Sequence, residues 1–222
     1  MERHFDEELK NVKQKMLQMA DEAQEMIGLA MKSLVERKEE HVKQLFKMEE
    51  DVNRREIEVE DSVLKLLALH QPAGSDLRFL TAILKINNDL ECVADQACNI
   101  GEISLRLLKE PLLKPLIDLP HMAKLAQAMI KQSLDALVRH DATLAEKVCQ
   151  SDDEVDRLNE QIFRELLTYM MEDPKSIKRA VDLILVSRNL ERVADHATNI
   201  SEDVIFIEQG KNIKHHLQDE GC

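Results

Sequence analysis

The chain has 222 residues, 44 % of them hydrophobic and 33 % charged, with five glycines, five prolines, no tryptophan and a formal net charge of −13. Many helix formers and few breakers predict an all-α protein with an aliphatic, methionine-rich core. The acidity excludes a nucleic-acid binder, which needs a basic face, and suits cations or basic partner surfaces. No apolar run approaches the roughly 18 residues of a transmembrane helix.

The N-terminus, MERHFDEELK, is charged from its second residue and does not read as a signal peptide. A first helix is predicted over about 4–36, where Phe5, Leu9, Val12, Met16, Met19, Ala23, Met26, Ala30 and Leu34 mark one buried stripe. A second covers about 39–69 and stops before HQPAGSD. A third starts near Ser75 or Asp76 as N-cap and runs to about 109. The segment KEPLLKPLIDLP, with Pro111, Pro115 and Pro120, then places a domain boundary, giving units of 1–112 and 113–222. Further helices follow over about 120–139, 142–171 and 175–208, with Asp173 as N-cap, Pro174 at the first helical position and Gly210 as the stop. The ending HHLQDEGC reads as a frayed tail. Cys92, Cys98, Cys149 and Cys222 show no CxxC spacing and read as reduced thiols of a cytosolic protein.

The chain repeats itself. LECVADQACNIGE (90–102) and LERVADHATNISE (190–202) agree at nine of thirteen positions. Core positions Ile83, Ile86, Leu90, Val93, Ala97, Ile100 and Leu107 fall on Leu183, Val186, Leu190, Val193, Ala197, Ile200 and Ile207. Leu45, Val52, Val59, Val63 and Leu66 of the second helix fall on Val148, Val155, Ile162, Leu166 and Tyr169 of the fifth. The expected architecture is two tandem three-helix bundles related by an internal repeat, packed like coiled coils.

Packing explains the repeated apolar residues but not the repeated polar ones. Glu91, Asp95, Asn99 and Glu102, and again Glu191, Asp195, Asn199 and Glu202, form one stripe on each helix that points away from the core. A solvated acidic face is the plain explanation, yet acids four apart repel and cost a few tenths of a kcal/mol each. The neighbouring helices bring more: Asp152 and Asp156 on the fifth, and at the equivalent positions Glu49 and Asn53 on the second. Facing pairs across a helix–helix groove make an all-oxygen cation site, suited to Mg²⁺, Mn²⁺, Ca²⁺ or iron and less to zinc. The candidate metal ligands are therefore Glu49, Asn53, Glu91, Asp95, Asp152, Asp156, Glu191 and Asp195.

At these motifs the sequence resembles the PhoU family of bacterial phosphate-transport regulators, over the whole chain. The LExVADxAxNIxE pair carries most of the likeness, with HQPAGSDLR (70–78) and YMMEDPKSI (169–177) similar to the family's interhelical turns. Asn53 departs from it, since Asp is the expected residue there. The resemblance implies a cytoplasmic, non-catalytic protein that binds metal through E(D)xxxD motifs and dimerises. It further implies coupling of the ATPase side of a phosphate ABC transporter to a sensor histidine kinase, repression of the phosphate-starvation response, and contact with the membrane only through partners.

Two rivals remain. A di-iron carboxylate bundle needs Glu-x-x-His motifs aimed inward, and none of the eight histidines has Glu three residues before it. A metal-free helical scaffold shares the fold and differs only in metal content. No Gly-rich phosphate loop, HExxH or GxSxG is present. His196 reads as a surface histidine, and Cys92 and Cys98 receive no role because their repeat counterparts are Arg192 and Thr198. With four carboxylates in the second site against three in the first, the second is expected to hold metal more tightly, unless Glu56 or Glu102 compensates for Asn53.

Overall fold

The computed structural model describes residues 2–211, with side chains from Phe5 onward. Six helices fill it: α1 (Glu2–Glu36), α2 (Glu39–His70), α3 (Ser75–Leu107), α4 (Asp118–Arg139), α5 (Ala142–Glu172) and α6 (Ile177–Gln209). The predicted tail and Cys222 lie outside the described residues. No described helix is long and apolar enough to cross a membrane.

The stripes that predict the helices bury as expected. Val12 to Leu34 on α1, the matched sets on α3 and α6, and Leu45 to Leu66 on α2 are all buried, whereas Phe5, Leu9 and Tyr169 are half-buried. Helix ends differ in detail. Gly74, at φ 62°, is the residue before α3, so Ser75 and Asp76 lie in its first turn and make no cap. The helix α4 begins at Asp118 and takes Pro120 into its first turn, where a missing N–H costs nothing. Asp173 does cap the restart, accepting from the Lys175 N–H, but the chain makes one 3-10 turn, Pro174–Ser176, before α6 begins. Arg37, at φ 57°, ends α1 and donates to the carbonyls of Leu107, Leu108 and Glu110, satisfying the end of α3.

Three helices pack together in each half: α1, α2 and α3 in the first, α4, α5 and α6 in the second. The halves then join through an extensive α3–α6 contact and a smaller α1–α4 contact, so the buried residues form one continuous core. Polar side chains fix the α3–α6 register. Lys85 pairs with Asp203 at 3.2 Å, Asn199 donates to Asp89 at 3.3 Å, and Arg106 donates through Nε and Nη2 to Asp182 at 3.0 and 2.7 Å. All three pairs share one antiparallel register centred on Ala94 and Ala194. The repeat maps these two residues onto each other, so a pseudo-twofold axis passes between them. Lys114, buried in the link between halves, pairs with Asp118 and Glu165 and ties the link to α5.

Candidate metal centres

The helix α3 is flanked by α1, α2 and α6, and α6 by α3, α4 and α5; among the described residues α2 and α5 do not touch. The exposed arc of α3 therefore lies between α2 and α6, and that of α6 between α5 and α3. Both arcs open on the side of the molecule opposite α1 and α4. Glu91 and Asp95 stand on one, Glu191 and Asp195 on the other, at equal distance along the helices from the pseudo-twofold axis.

The α5–α6 groove gathers the four predicted acids. Burial pushes the Asp152 carboxyl up to about 7, with further push from Asp156, Asp195, Asp153 and Glu191. Its buried Oδ1 has no hydrogen-bond partner. Glu191 is raised by burial, held back by Arg188, whose Nε lies 3.7 Å away, and raised again by Asp195 and Asp156. Asp195 is raised by burial and then by Asp156, against the pull of His196, Arg192 and Arg188.

The α2–α3 groove gathers three of the predicted acids and one more. Glu91 is raised by burial first, then by Asp95, Glu56 and Glu49, while a hydrogen bond with Cys92 lowers it. Glu56 is raised by burial, Glu60 and Asp95. The charged neighbours that move these two most are all acids. Asn53 is exposed on α2 between Glu49 and Glu56. The first cluster thus also has four carboxylates: Glu56 replaces the charge missing at Asn53, and its repeat counterpart in the second cluster is the neutral Asn159. The expected deficit of charge in the first site does not exist.

Side chains that the sequence left without a role border these clusters. Cys98 is buried and hydrogen-bonded to Glu49; burial, then Glu49, Asp95 and Glu102, push its thiol far up. Cys149 is pushed up to about 12 by burial, Glu202 and Asp152, and Cys92 to about 11 by burial and Glu91. Without a bound cation all three are thiols, and the other donors around them are carboxylate oxygens. His196 is not a surface histidine: its side chain is 16 % exposed and its Nδ1 lies 2.8 Å from Asp89 across the α3–α6 seam. Asn199 also leaves the acidic stripe for Asp89. Periodicity within one helix gave no signal for either contact, because the partner is on another helix.

The donor chemistry fits a hard cation: carboxylates in fours, electrostatically coupled, several of them held above their ordinary pKa by burial and by one another. The side chains are neighbours and are not drawn together, for among the described residues no three His, Cys, Asp or Glu side chains converge on a point that could hold an ion.

Comparison with known proteins agrees with the repeat. The PhoU domain matches the chain twice, at residues 16–104 and 119–204. The phosphate-specific transport system accessory protein PhoU homolog of Aquifex aeolicus is 38 % identical over 96 % of this chain and 97 % of its own length. The homolog of Pseudomonas aeruginosa is 35 % identical over 95 % of this chain and 88 % of its own. The crystal structure of PhoU from Pseudomonas aeruginosa superposes with a TM-score of 0.90 over 93 % of this chain and all of that one. The phosphate transport system regulatory protein PhoU from Streptococcus pneumoniae, 28 % identical, superposes at 0.87 over 94 % of this chain and 98 % of its own. With a doubled domain, a shared fold and identity sustained along its length, the chain belongs to the PhoU family.

Proposed function

We propose that this chain is a non-catalytic regulatory accessory protein of a bacterial phosphate-specific transport system, and that each of its two acidic grooves binds a hard metal ion. The names of its relatives support the first part. The second is carried by one observation: two groups of four coupled carboxylates on the same side of the molecule, several held above their ordinary pKa. Iron, manganese or magnesium suits them better than zinc. A bound cation would supply the positive charge that lets these carboxylates ionise together. Glu49, Glu56, Glu91 and Asp95 would hold it in the first groove, and Asp152, Asp156, Glu191 and Asp195 in the second. Because each groove joins two helices, occupancy would stiffen α2 on α3 and α5 on α6.

In this reading the protein acts in the cytoplasm as a homodimer. It couples the transporter's ATPase subunit to a sensor histidine kinase and represses the phosphate-starvation response when phosphate is ample. Deleting its gene should raise expression of the phosphate-responsive genes in phosphate-replete cells; normal repression in the deletion strain counts against the assignment. Elemental analysis of protein purified without chelator should find metal that the Glu191→Ala, Asp195→Ala double variant loses in part.

A metal-free scaffold of the same fold is the second reading, and the observation on its side is that no three donors converge. Metal absent from the purified protein, with no binding on titration, decides for it.

A further inference from the structure

Two ladders of exposed apolar side chains flank the turn between α5 and α6. Phe163, Leu167 and Met171 recur every fourth residue on α5, and Ile177, Val181 and Leu185 do so on α6, at 39 to 84 % exposure. Fourth-residue spacing sets each ladder on one face of its helix, and the turn places the two faces side by side. Together they expose on the order of 500 Å² of surface, in the range of the largest apolar patch of a monomer, which is often a functional one.

The internal repeat tells whether such a strip is required by the fold. The equivalent positions in the first half are Glu60, Leu64 and Ala68 on α2, and Leu77, Thr81 and Lys85 on α3. The first half folds the same way with a mixed polar surface there, so packing does not demand the strip. Charge differs between the halves as well. From Pro174 to Leu190 the chain carries Lys175, Lys178, Arg179 and Arg188 against a single carboxylate, Asp182, which is buried and held by Arg106. The equivalent first-half stretch balances Arg78 and Lys85 with Asp76 and Asp89. Acids do border the strip: Glu160 pairs with Arg164 at 2.5 Å, Glu110 with Lys178 at 3.3 Å and Glu191 with Arg188 at 3.7 Å, and Glu172 and Asp173 mark its lower end.

We propose that this strip docks an amphipathic helix of a partner protein, one with apolar residues at i, i+4 and i+7 and carboxylates beside them. Its apolar face lies along the ladders and its acids meet the α6 cations. A second copy of this chain fits less well. A twofold contact on the strip would bring the α6 cations Lys175, Lys178 and Arg188 of one copy up to the α6 cations of the other. An anionic bilayer fits less well too. A flat surface over this side also meets the carboxylates of both grooves, whereas a helix about 10 Å wide covers the strip alone.

The inference does not rest on metal binding, and its test is run with chelator present. The probe is a fluorescent peptide helix of about 16 residues with leucines on one face and glutamates beside them, titrated against the full chain by anisotropy. A peptide with the same leucines and lysines in place of the glutamates is the control. The glutamate peptide should bind, more weakly at high salt, and affinity should drop at least roughly tenfold in Leu167→Glu and Val181→Glu. The first-half equivalents Leu64→Glu and Thr81→Glu should leave it unchanged. No binding, equal affinity for both peptides, or equal loss from the first-half variants overturns the proposal. Self-association abolished by Val181→Glu would instead assign the strip to a second copy, and vesicle binding abolished by the same change, without peptide binding, would assign it to an anionic membrane.

Discussion

Asp152 keeps its proton in the folded chain up to about pH 7, yet ionises near its ordinary 3.8 when unfolded. A carboxyl raised on folding gives stability that is whole below about pH 4, declines as pH rises, and is gone above about 7. In metal-free protein, Asp152→Asn should therefore melt like the parent at pH 4 and at a higher temperature at pH 7; a constant difference across that range would refute the assignment. For the same reason, a metal entering the second groove near neutral pH should expel protons, which calorimetry in buffers of different ionisation enthalpy detects. The grooves should also fill in a definite order. Each has four carboxylates, but Arg188 and Arg192 act on the second, while the neighbours that most perturb Glu56 and Glu91 in the first are acids. Metal at sub-stoichiometric ratio should then appear by anomalous scattering at Glu49, Glu56, Glu91 and Asp95 first, and Glu56→Gln should reverse the order. Seven of the eight candidate ligands act on one another electrostatically, and the face that each takes on its helix was legible because position around a helix is set by residue number. The charge at Glu56 was harder to place, since the repeat moves it three residues, from the position of Asp156 to that of Asn159. The Asp89–His196 contact could not be read at all without knowing that α3 and α6 run antiparallel.

At the scale of elements, the α2–α3 contact distributes side-chain volume differently from its copy. A Cβ on Gly101 would lie 2.6 Å from Cδ2 of Leu45, a fully buried side chain. The second half solves the same contact with Ser201 and the smaller Val148. Volume is thus exchanged across the groove, and each pair fills its own space. Gly101→Ser alone should cost about 1–3 kcal/mol by overpacking, even though helix propensity favours serine over glycine by a few tenths. Combined with Leu45→Val it should cost much less, and a double-mutant cycle by urea unfolding should show coupling above about 0.5 kcal/mol. Additivity would mean that the helices separate to make room. The boundaries of these helices were legible wherever Pro or Gly breaks the pattern. They failed at Gly74 and Asp118, where a good capping residue or a proline sits one step inside the helix.

At the scale of the molecule, the halves are not independent. The α3–α6 contact is as extensive as packing inside a bundle, and ion pairs or hydrogen bonds at Asp89, Asp182 and Asp203 span it. Calorimetry should record one cooperative transition, with calorimetric and van't Hoff enthalpies equal. A fragment of residues 1–112 should be unfolded or aggregated, since it bares the seam face of α3. Two separate transitions would show that the seam contributes little. The sequence revealed the two units through their repeat but not their union, because the repeat encodes what the halves share and the seam is where they meet.

The pseudo-twofold axis through Ala94 and Ala194 also bears on chain topology. It carries the end of α3 onto the end of α6, and Asp118 at the start of α4 onto Lys15 inside α1, since α4 has 22 residues and α1 has 35. The gap from Gln209 to Lys15 is therefore the image of the gap that residues 108–117 already bridge. A circular permutant that opens in that link, and joins Gln209 to Lys15 with a copy of it in place of residues 1–14, should fold to the same six-helix arrangement with its halves in reversed order. In such a protein the order of the two repeats along the chain would be free to change, while the side of the molecule on which their acids stand would not.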